Sequence, residues 1–186
     1  MLPICLVNNF GQFNHLIKRM LRDIEIDAVM IKNDVPPEEV EGSYRGIILG
    51  GGPSLERANH APDYLDLGVP VLGICLGLHI IATRYGGTVN PGKMGGFGGV
   101  EVEIVDHTGI LEGYPDRISV WASHADEVKV MPEGFTLLAR SNICGNEAIG
   151  NFEKNIYGVQ WHPEVSHTTE GYRVFENFDR ITQDNL

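Results

Sequence analysis

Cysteine is scarce in this chain. Cys5, Cys75 and Cys144 are the only three among 186 residues, unevenly spaced and without a Cys-x-x-Cys pair. That excludes a disulfide framework and the common zinc or dithiol spacings. No His-Glu-x-x-His supplies another metal motif, so no metal is expected. Free thiols fit a reducing, cytoplasmic setting. Positive charge is also short: 14 Lys and Arg face 25 Asp and Glu, for a net charge of −11. So acidic a chain argues against nucleic acid and against an anionic membrane surface as partners. No apolar run is long enough to span a bilayer, and no basic stretch followed by an apolar one marks a signal peptide. Internal repeats, linkers and low-complexity tails are lacking too. What is present is ordinary for a globular chain, 42% hydrophobic and 21% charged, and residues 1–186 are enough for one domain with a sizeable core.

Apolar, β-branched runs at residues 4–7, 28–31, 46–49 and 69–74 read as buried strands. Leu16, Ile17, Met20, Leu21 and Ile24 recur at helical spacing and predict an amphipathic helix over residues 13–23. A short helix with proline at its start is expected at 36–40, and an apolar helix at 76–85. This alternation predicts an α/β fold, an open, mostly parallel, flavodoxin-like sheet with helices on both faces. After Gly86-Gly87 the character changes. Residues 91–99 are glycine-rich and read as a flexible loop. Residues 100–104 alternate apolar and acidic, and 118–122, 135–140, 148–152 and 156–160 are further short strands. They predict a smaller antiparallel β portion in the C-terminal half. A helix over 169–181 closes the chain, with Tyr172, Phe175, Phe178 and Ile181 inward and Asp179 and Arg180 outward.

The chemistry concentrates where the strand at 69–74 ends. Gly73-Ile74-Cys75-Leu76-Gly77 places a thiol between two glycines, between a strand and a helix. That is the pattern of a nucleophile elbow with Cys in place of Ser. The turn is tight, and a Cβ at either glycine would crowd it. A helix N-terminus favours thiolate over thiol. The Leu76 N–H, next to the nucleophile, is free to hold an oxyanion. The plainer reading is a buried structural cysteine. A second glycine-rich turn, Gly50-Gly51-Gly52-Pro53-Ser54, leaves the strand at 46–49, and no Gly-Lys-Ser/Thr follows it to make a phosphate loop. Both turns lie at the carboxyl ends of parallel strands, where such sheets carry their sites.

A cysteine nucleophile needs a base and a group to orient it. Among seven histidines, His162 stands apart because a strand ending at Trp161 delivers His162-Pro163-Glu164 to its carboxyl end. Pro163 holds His162 extended. Residues two apart in an extended stretch share a side, so Glu164 reaches the imidazole and fixes its tautomer. The plainer reading is a turn with a solvated His and Glu.

Together these stretches, with Val159-Gln160-Trp161-His162-Pro163-Glu164-Val165, resemble the class I (triad) glutamine amidotransferases from the first strand to the last helix. Two segments narrow the likeness. Trp121-Ala122-Ser123-His124-Ala125-Asp126 and His162-Pro163-Glu164-Val165-Ser166-His167-Thr168 are similar to segments of GMP synthase glutaminases. The Ser-Gly-Gly-Val-Asp-Ser signature of the ATP-pyrophosphatase half is absent. The resemblance is to the separate glutaminase subunits of two-subunit GMP synthases, as in archaea. It implies Cys75, His162 and Glu164 as the catalytic triad, and the Gly52 and Leu76 N–H groups as the oxyanion hole. Gly51, His79, Ser123, His124 and Ala125 are the implied substrate contacts. L-glutamine is the implied substrate, hydrolysed through a γ-glutamyl thioester. The implied partner is an ATP-pyrophosphatase subunit that aminates XMP, with ATP and Mg2+ on that partner and no cofactor here.

The chain departs from the family at Leu78-His79, where the family has a Gln that contacts substrate, at Ala125 in place of Gly, and in Lys93-Met94-Gly95-Gly96-Phe97-Gly98. If His79 occupies the position of that Gln, its imidazole substitutes in part and can charge near neutral pH. The residues leave other readings open: a glutaminase for another synthetase, a same-fold γ-glutamyl or peptide hydrolase, or a non-catalytic regulatory subunit.

Overall fold

The computed structural model describes all 186 residues. In chain order its elements are β1 (Ile4–Asn8), α1 (Asn14–Asp23), β2 (Ala28–Lys32), α2 (Pro37–Val40), β3 (Gly46–Leu49), β4 (Val71–Ile74), α3 (Leu76–Arg84), β5 (Thr88–Ile104), β6 (Arg117–Val130), β7 (Thr136–Arg140), β8 (Ala148–Asn151), β9 (Ile156–Val159) and α4 (Tyr172–Asp184). Short 3-10 turns lie at Leu55–Arg57, Ala61–Asp66 and Gly109–Leu111.

All nine strands join one mixed sheet in the order β2-β1-β3-β4-β9-β8-β7-β5-β6. The pairs from β2 through β9 are parallel, and those from β9 through β6 antiparallel. Alternate residues of β1 feed opposite cores, as a strand buried on both faces requires. Ile4 and Leu6 pack with Ile17 and Leu21 of α1 and with Val174, Phe175 and Phe178 of α4. Cys5 and Val7 pack with Val40, Tyr64 and the α3 residues Leu78 and Ile81. Helices therefore cover both faces. The strand order reverses at β1, so the loops after β1 and β3 flank the crevice where such sheets bind ligands. No helix is long and apolar enough to cross a membrane.

Three expectations need correction. Residues 91–99 are not a flexible loop but part of β5, which runs 17 residues against a 14-residue β6. The glycines hid the strand by removing its alternation. Two of them are needed because β6 side chains pass close: a Cβ on Gly96 would lie 2.5 Å from Nε2 of His124, and one on Gly92 2.8 Å from Oε2 of Glu127. The register slips between Pro91 and Gly96, so residues 92–95 bulge out of the ladder. The last helix begins at Tyr172 rather than 169, its inward face uses Val174, and Tyr172 is exposed. Asp179 does not face free solvent. It pairs with the buried Arg45 at 2.5 Å, and Arg45 also donates to the Leu2 carbonyl at 2.8 Å, tying α4 to the N-terminus.

Candidate active site

Cys75 sits between β4 and α3 with φ 56° and ψ −105°, a backbone conformation that costs energy in any residue with a side chain. The turn is held by the Cys75 N–H, which donates to Val159 O at 2.9 Å. Its glycines are forced by contact. A Cβ on Gly73 would lie 2.4 Å from the Gly77 carbonyl carbon, and one on Gly77 would lie 2.1 Å from Leu49 O. Leu76 opens α3, so its N–H has no carbonyl one helical turn earlier to bond. Cys75 is 8% exposed and lines a cavity of about 260 Å³ together with Phe10, Gly11, Gln12, Phe13, Asn14, Gly51, Gly52, Pro53, Ser123 and His162. That is below the roughly 300–1,000 Å³ of pockets for drug-sized ligands and suits a small one.

His162 enters from the far side. β9 ends at Val159, and His162-Pro163-Glu164 lies in a turn rather than an extended stretch, with the Val165 N–H donating to His162 O at 3.4 Å. The turn brings Glu164 to the imidazole by a different route from the one expected: Nδ1 of His162 meets Oε1 of Glu164 at 2.5 Å, both side chains buried. The ring is fixed further by the edge-on Phe13, centroids 5.0 Å apart, and the backbone by Trp121 O, which accepts the His162 N–H at 2.9 Å. Burial alone would lower the imidazole's affinity for a proton. Donation from the protonated ring to the Cys75 sulfur and to the Glu164 carboxylate, with the charge of Glu164, outweighs it and raises the pKa to about 10. At neutral pH the proton therefore stays within the pair instead of passing to solvent.

The glycine turn after β3 faces the same cavity, and Gly51 and Gly52 line it. A Cβ on Gly52 would lie 2.1 Å from Asn9 O, so the turn presses backbone to backbone against the loop after β1. The Gly52 N–H donates to no acceptor in the protein. The Leu76 N–H, at the start of α3 and next to the thiol in the chain, is a second donor without a partner in the protein, although Leu76 is not among the residues that line the cavity.

Of the remaining expected contacts, only Ser123 lines the cavity, and its carbonyl accepts from Sγ of Cys75 at 3.8 Å. His79 does not reach it. Its Nε2 lies 2.8 Å from Oε1 of Gln160, and Gln160 Nε2 donates to Sγ of Cys75 at 3.7 Å. His79 thus stands behind the nucleophile, and its burial lowers its pKa, which disfavours a charge on the ring. His124 is buried with Nδ1 at 2.9 Å from Asp126 O, and Ala125 is exposed on β6; neither lines the cavity. Phe10, Gln12, Asn14 and Gln160 were not picked out from the sequence. The short polar run after the first strand was the only signal for the first three.

Behind Gln160, the buried Glu147 holds its carbonyl to the Gln160 N–H at 2.7 Å and its Oε1 to the Ser141 hydroxyl at 2.7 Å. Burial raises its pKa from 4.5 to about 7, against the Ser141 bond and with help from Glu127. Between pH 4.5 and 7 the unfolded chain has lost this proton while the folded chain keeps it, so stability falls as pH rises through that window. Glu147→Gln keeps the acceptor for Ser141 and removes the titration. We expect it to be more stable than the wild type at pH 8, by on the order of 2 kcal/mol, with most of that gain gone at pH 5. Urea unfolding at both pH values checks this.

The family model for Glutamine amidotransferase class-I matches residues 5–181. The chain is 67% identical over 181 residues to a glutamine-hydrolyzing GMP synthase subunit of Methanoregula boonei, covering 97% of this chain and 98% of that one. It is 64% identical to the protein of the same name from Methanoculleus marisnigri, with the same coverage. A crystal structure from Thermoplasma acidophilum, described as that of a GMP synthase subunit, superposes with a TM-score of 0.95 at 35% identity, over 100% of this chain and 96% of that chain. A likeness that takes in almost every residue, from β1 to α4, leaves no part of the fold unaccounted for: this chain belongs to the class I glutamine amidotransferases.

Proposed function

We propose that this chain is the glutaminase subunit of a two-subunit GMP synthase, working as one amidotransferase domain over residues 1–186. The observation that carries the reading is Cys75 on its strained turn, sharing a cavity with a His162 already locked to Glu164 at 2.5 Å. The relatives named as GMP synthase subunits favour this partner over other synthetases.

The proton that His162 holds at neutral pH is the one the Cys75 thiol gives up, so the sulfur reacts as a thiolate. The sulfur attacks the side-chain amide carbon of glutamine, and the C=O electron pair moves onto oxygen. Gly52 and Leu76 donate their N–H groups to that oxyanion. As it collapses, the C–N bond breaks and His162 protonates the leaving nitrogen, releasing ammonia. Water then gives a proton to His162 and its oxygen attacks the γ-glutamyl thioester. A second oxyanion forms, the C–S bond breaks, and glutamate leaves with the thiol restored. Glu164 holds the ring and supports its positive charge without giving up its own. Gly51 and Ser123 contact the glutamine. His124 and Ala125 take no part in this reading, and His79 acts only through Gln160.

The ammonia goes to an ATP-pyrophosphatase subunit, which uses ATP and Mg2+ to aminate XMP. This chain brings no cofactor of its own, and we assign it to the cytoplasm. Mixing the two subunits with XMP, ATP, Mg2+ and glutamine tests this: GMP forms with glutamine as nitrogen donor. GMP from added ammonia but never from glutamine would count against it.

A further inference from the structure

We propose that Asn14 is a positioning residue that orients the Gly51–Gly52 peptide and so presents the Gly52 N–H to the oxyanion before any partner binds. The inference rests on the glutaminase reading of Cys75 and Gly52. Asn14 sits in the first turn of α1 and is 3% exposed. Its Oδ1 accepts the Gly51 N–H at 3.0 Å, and its Nδ2 donates to the Gly51 carbonyl at 3.0 Å. The second Nδ2 proton goes to Oδ1 of Asn8 at 2.8 Å, which fixes which end of the amide is which. The Gly11 N–H gives the same Gly51 carbonyl a second donor at 3.0 Å.

The chain has no cis peptide bonds. In a trans peptide the C=O of one residue and the N–H of the next point in opposite directions. Pinning the Gly51 carbonyl with two donors therefore fixes the Gly52 N–H on the other edge, where it meets no acceptor in the protein. Flipping that peptide would break both bonds and leave a buried carbonyl unpaired. The residue before is held in the same way. Asn9 Nδ2 donates to Gly50 O at 2.9 Å, and Asn33 and Asn59 back Asn9 in turn. The glycines suit this clamp. A Cβ on Gly50 would lie 2.3 Å from Oδ1 of Asn14, and one on Gly11 2.5 Å from the Gly51 carbonyl carbon. A carboxamide offers Gly51 a donor and an acceptor on two separate atoms of one short side chain.

Asn14→Asp is nearly isosteric, keeps the acceptor for the Gly51 N–H and loses the donor to the Gly51 carbonyl. In complex with the synthetase subunit it should lose roughly a hundredfold in kcat for glutamine hydrolysis, the usual effect of one misplaced oxyanion donor. Asn14→Ala should lose kcat alike and adds no charge beside the thiol, so the controls are read in it: the rate of Cys75 alkylation by iodoacetamide and the glutamine concentration that protects against it should stay near wild-type values, because neither depends on charge developing in the oxyanion hole. A kcat within about tenfold of wild type, or a fall matched by equal losses in alkylation or protection, would overturn the proposal. Amide hydrogen exchange on the free wild-type chain decides the matter even if neither variant folds. The Gly51 N–H should be protected and the Gly52 N–H fast; equally fast exchange at both overturns the clamp. A wild-type complex that hydrolyses no glutamine would overturn the glutaminase reading, and this proposal with it, before any variant is made.

Discussion

Cys75→Ala should abolish glutamine-dependent GMP formation by the assembled complex and leave ammonia-dependent formation unchanged. Loss of a nucleophile that acts as one unit with its base typically costs on the order of a millionfold in kcat. No other thiol can take over. Cys5 and Cys144 are buried away from the cavity, and burial pushes both up to about 12, so neither offers a thiolate at neutral pH. The partner's chemistry does not pass through the thiol, so added ammonia bypasses the lesion. A parallel loss of both activities would place the defect in assembly rather than in catalysis. Nitrogen-donor assays with glutamine and with ammonium chloride on one preparation separate the two.

Glu164→Gln has the second largest expected effect, a fall of about a hundred- to ten-thousandfold in kcat, and it moves the pH profile in a defined direction. In the wild type the bonds to Cys75 and Glu164 hold the His162 pKa near 10 against burial, so the active protonation persists far into alkaline pH. The neutral amide removes the carboxylate's charge and leaves the Cys75 interaction alone to oppose burial. The alkaline limb should then shift downward, with its midpoint well below pH 10. The same sign governs stability. A histidine whose folded pKa is raised stabilises the fold fully below its unfolded value near 6.5, and that contribution disappears as pH climbs to about 10. In Glu164→Gln this support is smaller and disappears at a lower pH. A pH–rate profile with NMR titration of His162 checks both; an unmoved alkaline limb would show that Glu164 does not set the base.

The parallel half of the fold was legible because its strands are short, apolar and separated by helical periodicity, as at residues 4–7 and Leu16 to Ile24. The elbow was legible for a related reason. Gly73 and Gly77 are there because backbone atoms approach where their Cβ would be, and a requirement at that range leaves a fixed spacing in the sequence. The His162–Glu164 pair was found on a partly mistaken argument, since the spacing was right and the backbone is a turn. The β5–β6 ribbon was half hidden because its glycines break the alternation, and Gly96 answers to the passing side chain of His124, 28 residues further along the chain. Asn14 and Gln160 were invisible for the opposite reason. Each is a common polar residue whose role lies in bonds to partners 37 and 85 residues away, with no local pattern to mark it.

Every step of the proposed reaction depends on Cys75 taking the γ-glutamyl group of glutamine. Mass-spectrometric mapping of the chain after exposure to a diazo-ketone analogue of glutamine, with and without competing glutamine, probes that transfer at the sulfur itself. Label on Cys75 alone, suppressed by glutamine, is the expected result. Label that spreads to Cys5 or Cys144 would refute the transfer. So would a Cys75 that reacts with iodoacetamide but neither takes the analogue nor is shielded by glutamine, even with the synthetase subunit present.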